Sequence, residues 1–164
     1  MKEISLKEIS SSNLMSFDCG EEQLNNYLKY YAKQNEDKGL GRTFVLIEKE
    51  EIYGFYTLSS ASIKFEELPD DLKKKLPHYP IPCVRIARLG VSLSRQKQGI
   101  GAILLKNAFK RIVTVFINIG ISFIIVDAKP SSKGFYEHYG FTCIDEKRNL
   151  YAISIFTIIK AMLG

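Results

Sequence analysis

Gln96, Lys97, Gln98, Gly99, Ile100, Gly101 and Ala102 stand between an apolar, strand-like run and a helical pattern, and that order builds an anion site. N–H groups at a helix start point outward, and the helix dipole adds partial positive charge there, so a phosphate belongs in that place. Gly99 and Gly101 lack Cβ atoms, which frees the backbone dihedrals and lets a bulky pyrophosphate come close. The side chains of Gln96, Lys97 and Gln98 offer further donors. An ordinary strand-to-helix turn has the same outline, so the loop alone leaves that alternative open. Two other phosphate loops are excluded: no Gly-Lys-Ser/Thr ending follows, and the third glycine and distant acid of a dinucleotide fingerprint are missing.

The elements that must hold this loop follow from periodicity. Residues 83–92 read as the strand before it and 99–116 as the helix after it, with Ile103, Leu104, Ala108 and Ile112 as the buried stripe. Phe123 to Val126 is a continuous apolar run, as in a strand covered on both faces. Strand, helix and strand in succession imply a parallel crossover.

Upstream, 1–9 reads as a strand. A helix starts near Asp18, with Asp18 as cap and Glu21 three residues on, and runs to about Asn35. Residues 43–47 and 52–62 form a hairpin signal. A short helix at 66–76 carries Lys73, Lys74 and Lys75 outward and is stopped by Pro77, Pro80 and Pro82. Downstream, 131–139 reads as a short helix, with 141–144 and 149–158 as closing strands.

The chain has 164 residues, which fits one domain spanning 1–164. Its longest apolar region, 112–126, is interrupted by polar residues and too short to span a bilayer, and the N-terminus has no apolar leader core. Three widely spaced cysteines fit thiols of a reducing cytosol, and His78 and His138 are too isolated to suggest a metal site. The net charge of +5 is unevenly spread: ten basic and no acidic residues lie between Leu72 and Val126. Such a segment attracts polyanions. A solvated basic face, a phosphorylated cofactor and an RNA are all compatible with it.

Gln96-x-x-Gly99-x-Gly101 resembles the acetyl-CoA pyrophosphate motif of the GNAT acetyltransferases. Phe135-Tyr136-x-x-x-Gly140-Phe141, after the 123–126 strand, resembles that family's second signature. The resemblance implies an α/β fold whose central mixed, twisted sheet of six to seven strands carries helices on both faces. It implies acetyl-CoA as cosubstrate and no metal. Leu89, Gly90 and Val91 would meet the acetyl and pantetheine end, a backbone N–H there holding the tetrahedral oxyanion. Gln96 to Ala102 would hold the pyrophosphate, and Ser132 and Phe135 would line the arm. Tyr136 matches the general acid that protonates the departing thiolate; a phenol near pKa 10 stays protonated at neutral pH, as that task requires. The alternative reading of Tyr136 is a core aromatic at helical spacing with Phe135 and Tyr139.

Phe17-Asp18-Cys19-Gly20, Leu24 to Leu28, Gly41-Arg42-Thr43, Gly54 to Ser59 and Ile81 to Val84 with Arg88-Leu89 resemble the toxin subgroup of that family, from bacterial toxin–antitoxin pairs. The subgroup acetylates the α-amine of aminoacyl-tRNA and blocks translation. The chain has no acid near its central strand to act as base, which suits an amine that is already largely neutral, as the amine of an aminoacyl ester is. Arg88, Lys74, Lys75 and Lys133 are the candidates for tRNA contact. A small ribbon-helix-helix antitoxin, a homodimer and a cytoplasmic location away from membranes follow as expectations. A small-molecule amine or protein N-terminus as acceptor, or a non-catalytic CoA- or RNA-binding module, are the alternatives.

Overall fold

In the computed structural model, which describes residues 1–164, seven strands join in one mixed sheet of order β1-β2-β3-β4-β5-β7-β6. They are β1 Lys2–Ser5, β2 Arg42–Glu48, β3 Glu51–Ile63, β4 Ile81–Val91, β5 Phe123–Asp127, β6 Thr142–Asp145 and β7 Leu150–Ser154. Helices are α1 Ser11–Met15, α2 Glu22–Asn26, α3 Ala32–Asp37, α4 Asp70–Lys73, α5 Ile100–Phe116, α6 Lys133–His138 and α7 Ile155–Leu163. β4 and β5 are parallel, as a strand–helix–strand succession requires. The other registered pairs are antiparallel. No helix is long and apolar enough to cross a membrane. Contacts divide the chain into two compact units, Met1–Ser59 with Ile86–Lys110, and Ser60–Arg85 with Arg111–Gly164.

In the first unit the β2–β3 hairpin forms where its sequence signal lies, closed by Lys49 and Glu50 at φ of 49° and 67°. A two-residue hairpin turn with both central residues left-handed matches the twist of the strands. Successive β3 residues serve opposite faces: Phe55 packs with Leu6, Leu14, Phe17 and Leu28 of the N-terminal elements, while the Gly54 α-carbon faces Leu104 of α5. Helices thus cover both faces of this part of the sheet. Leu104, Leu105, Ala108 and Ile112 of α5 are fully buried, and Ile103 is only half-buried.

The 1–9 strand is shorter than its alternation suggested. Ser5 caps a single 3-10 turn, Leu6–Glu8, in a reciprocal box with Glu8, and that turn breaks off the extended chain. Asp18 is not the helix cap. Its carboxylate accepts from Gly20 N–H at 2.8 Å and from the Asn25 amide at 2.9 Å, shaping the turn ahead of α2, whose cap position is Glu21. Between α2 and α3 the helix widens to a π turn, Tyr27–Tyr31, in which Ala32 N–H donates to the Tyr27 carbonyl.

In the second unit β5 is buried along Phe123 to Val126, and Ile63, Leu68, Ile81, Cys83, Phe123, Ile125, Leu150 and Ala152 form its core. The expected 66–76 helix is a 3-10 turn, Phe65–Glu67, and the one-turn α4, with Pro69 between them. Lys74 and Lys75 are exposed and Lys73 is half-buried. The closing strand expected through residue 158 ends at Ser154. There the Ser154 hydroxyl accepts from Phe156 N–H at 3.2 Å and caps α7, whose Ile155 and Ile158 are buried. A run of isoleucines is compatible with strand or helix, and the cap decides.

Candidate active site

The loop ahead of α5 has the left-handed turn its glycine suggests. Lys97 and Gly99 lie at φ of 62° and 80°, so the chain turns twice through the left-handed region before α5 begins. The first helical bond runs from Ile103 N–H to the Gly99 carbonyl at 3.2 Å. The N–H groups of Ile100, Gly101 and Ala102 therefore have no carbonyl one turn back. Nothing lies within 4 Å of where a Gly99 Cβ would sit, so this glycine is required by its dihedral and not by crowding.

The loop's amide side chains do not point where the sequence suggested. Gln96 Nε2 donates to the carbonyls of Cys19 at 3.0 Å and Val91 at 3.1 Å, and Gln98 Nε2 to that of Ser94 at 3.1 Å. Both amides are spent holding the turn in shape. What remains for an anion is the backbone, with the exposed Lys97 ammonium beside it.

β4 runs on to Val91, yet its registered pairing with β5 covers only Cys83 to Arg85. Leu89 and Val91 are half-buried and Gly90 is buried. Gly90 is crowded on one side, where a Cβ would meet Phe55 at 3.1 Å and the Cys19 sulfur at 3.5 Å. Its carbonyl lies 2.8 Å from the place a Gly54 Cβ would take. Two glycines on adjacent strands set the position of this β4 segment.

Tyr136 lies on α6, with ring centroids 5.2 Å from Phe135 and 5.3 Å from Phe141. Its residue is 5% exposed, and burial pushes the phenol well above its ordinary value of 10.0. The ring is thus a core aromatic, and burial is the one cause that shifts its phenol. A phenol held protonated is a hydrogen-bond donor that can meet a developing thiolate. Phe135 and Ser132 beside it are half-buried, as is Lys133, the first residue of α6.

The acid-free segment is less free than its composition suggests. Arg85 pairs with Asp127, and Arg95 grips Glu51 through Nε to Oε1 at 3.1 Å and Nη2 to Oε2 at 2.6 Å while lying over the Tyr53 ring. Those partners come from outside the segment, a neutralisation that charge counting could not see. Arg88 is exposed and has no carboxylate partner; its guanidinium lies 4.6 Å from the Tyr27 ring centroid and donates to the Ala87 carbonyl at 2.8 Å. The Arg88–Tyr27 contact, the π turn and the Gln96–Cys19 bond escaped sequence reasoning, because none is a local pattern. No group of three or more His, Cys, Asp or Glu side chains forms a metal cluster.

A mixed sheet with a glycine-rich loop opening α5 and a buried tyrosine on α6 is the framework of an N-acetyltransferase. A family model described as "Acetyltransferase (GNAT) domain" matches residues 15–157. The tRNA-acetylating toxin of Mycobacterium tuberculosis is 30% identical over 155 residues, covering 94% of this chain and 92% of that protein. The structure of AtaT complexed with acetyl-methionyl-tRNAfMet is similar with a TM-score of 0.88 at 27% identity, covering 99% of each chain. That of AtaTR bound with AcCoA has a TM-score of 0.82 at 25% identity, covering 98% of this chain and 97% of the other. The chain belongs to the GNAT acetyltransferase family, in its toxin subgroup.

Proposed function

We propose that the whole chain, 1–164, acts as one catalytic domain that transfers the acetyl group of acetyl-CoA to the α-amine of an aminoacyl-tRNA and so blocks translation. Acetyl-CoA supplies an activated thioester. The open N–H groups of Ile100, Gly101 and Ala102, with Lys97, would hold its pyrophosphate, and the donor set fits a dianion because backbone N–H groups at a helix start need an acceptor. Ser132 and Phe135 would line its arm.

Backbone N–H groups at Leu89 to Val91 would stabilise negative charge developing on the thioester oxygen. Tyr136 would hold a proton at its hydroxyl and give it to the sulfur as the C–S bond breaks. The amine forms the new C–N bond and loses its proton to water, since an aminoacyl ester amine is already largely neutral. Arg88, Lys74, Lys75 and Lys133 are the proposed tRNA contacts. The protein would act in the cytoplasm as a homodimer, held inactive by a small antitoxin of the ribbon-helix-helix type.

The observation that carries this reading is Tyr136, a phenol on α6 that burial keeps protonated, and the tRNA-acetylating activity of the Mycobacterium tuberculosis relative supports the choice of acceptor. The test is transfer of labelled acetyl from acetyl-CoA to charged and uncharged tRNA by purified protein. Label should appear on charged tRNA only, and Tyr136→Phe should slow its appearance by about 10²–10⁴-fold. Label on a free small amine or a protein N-terminus, with none on RNA, would overturn the reading.

A further inference from the structure

The π turn Tyr27–Tyr31 is a costly way to continue a helix. Its wide ring of hydrogen bonds is rare and is found mostly at functional places. Here it sets out three tyrosines with different fates. Tyr27 is buried under the Arg88 guanidinium, 4.6 Å from its ring centroid. Tyr31, about one turn on, and Tyr30 beside it are 56% and 51% exposed. Neither ring has a stacking partner in the protein.

Arg88 lies over an aromatic face with one N–H on the Ala87 carbonyl and no carboxylate to neutralise it. Its remaining N–H groups are free for a planar, bidentate anion such as a phosphate. Exposed aromatic rings within one turn of the tyrosine that an unneutralised arginine covers supply the two components of a single-strand nucleic-acid platform: rings that take bases and a cation that tracks the backbone. Positive charge without a matching acid argues for RNA over a neutral ligand.

Resting on the reading of an RNA-borne acceptor, we propose that Tyr30, Tyr31 and Arg88 form a stacking platform for the unpaired 3′ end of the RNA substrate. The rings stack bases, and Arg88, braced by Tyr27, binds a phosphate of the same strand.

The experiment uses tRNA carrying 2-aminopurine in its unpaired 3′ end, whose fluorescence is quenched on stacking. Wild-type protein should change that fluorescence. A Tyr30→Ala, Tyr31→Ala double variant should not, and its KM for aminoacyl-tRNA should rise about tenfold or more, as loss of base stacking does. Its KM for acetyl-CoA should stay put. Tyr30→Phe with Tyr31→Phe should behave as wild type, because stacking needs the ring and not the hydroxyl. Unchanged fluorescence and KM in the alanine variant would overturn the proposal, as would phenylalanine variants as weak as the alanine ones. Weakened binding of an acidic peptide with tRNA binding intact would assign the surface to a protein partner and equally overturn it. Protein that stacks the probe yet transfers no acetyl group would remove the acetylation reading and leave the platform standing.

Discussion

The side-chain amide of Gln96 donates to the carbonyl of Cys19, 77 residues earlier, at 3.0 Å, and to that of Val91 at 3.1 Å. One side chain thereby ties the phosphate loop to the end of β4 and to the turn ahead of α2. Its side-chain N–H groups are used within the protein, so the part proposed for it in anion binding is indirect, through the backbone it holds.

Gln96→Ala should therefore weaken CoA binding without removing any group that touches the ligand. The lost hydrogen bonds should cost about 1 kcal/mol of stability, lowering Tm by about 2–4 °C. Gln96→Glu should be worse on both counts, since a carboxylate would face two carbonyl oxygens. Calorimetry with CoA and a thermal melt measure the two effects.

Gly54 and Gly99 should resist substitution for different reasons, crowding at the first and a left-handed backbone at the second. A Cβ on Gly54 would lie 2.8 Å from the Gly90 carbonyl oxygen and 2.8 Å from Leu104 Cδ1. Gly54→Ala should then displace β4, cost about 1–3 kcal/mol as an overpacked site does, and raise KM for acetyl-CoA. At Gly99 there is room but φ is 80°, so Gly99→Asn should retain more CoA affinity than Gly99→Val, because Asn tolerates the left-handed region and a β-branched residue does not. Denaturant melts and CoA titrations on the three variants check this.

Tyr136 sets the alkaline behaviour. Burial raises its pKa above the ordinary 10.0, so the phenol stays protonated in the folded enzyme as pH rises past that value. The transfer rate should show no fall attributable to it between pH 7 and 10. In the unfolded chain the same phenol ionises near pH 10. Its contribution to stability is thus complete below that pH and is lost progressively above it. Tyr136→Phe should slow transfer by about 10²–10⁴-fold and lose less stability between pH 10 and 11 than wild type, by rate assays and denaturant melts across pH.

The three cysteines are free, with Cys143 exposed and Cys19 and Cys83 buried. Burial pushes both buried thiols up, that of Cys83 to about 11. Since the thiolate is the reactive form, native protein at pH 8 should titrate one thiol with an aromatic disulfide reagent and denatured protein three. Cys143→Ser should abolish the native reaction.

By itself the sequence determined what local chemistry decides. The β2–β3 hairpin, the buried β5 run, the α5 stripe and the left-handed Gly99 ahead of a helix follow from periodicity and turn preference, which act over a few residues. The resemblance of two short stretches to acetyltransferase signatures pointed to both the loop and Tyr136. Tertiary structure decided what depends on partners far along the chain. The Gln96 amide is taken up by the carbonyl of Cys19, 77 residues earlier, which no local pattern announces. Arg85 and Arg95 lose their free charge because Asp127 and Glu51 lie across from them. The isoleucine run after Ser154 becomes α7 once the Ser154 hydroxyl caps it and Ile155 N–H meets the Ser122 carbonyl at 3.0 Å. Packing likewise made Tyr136 a core ring and raised its phenol's pKa. Such outcomes hinge on burial and on hydrogen bonds between residues tens of positions apart, and composition carries no record of either.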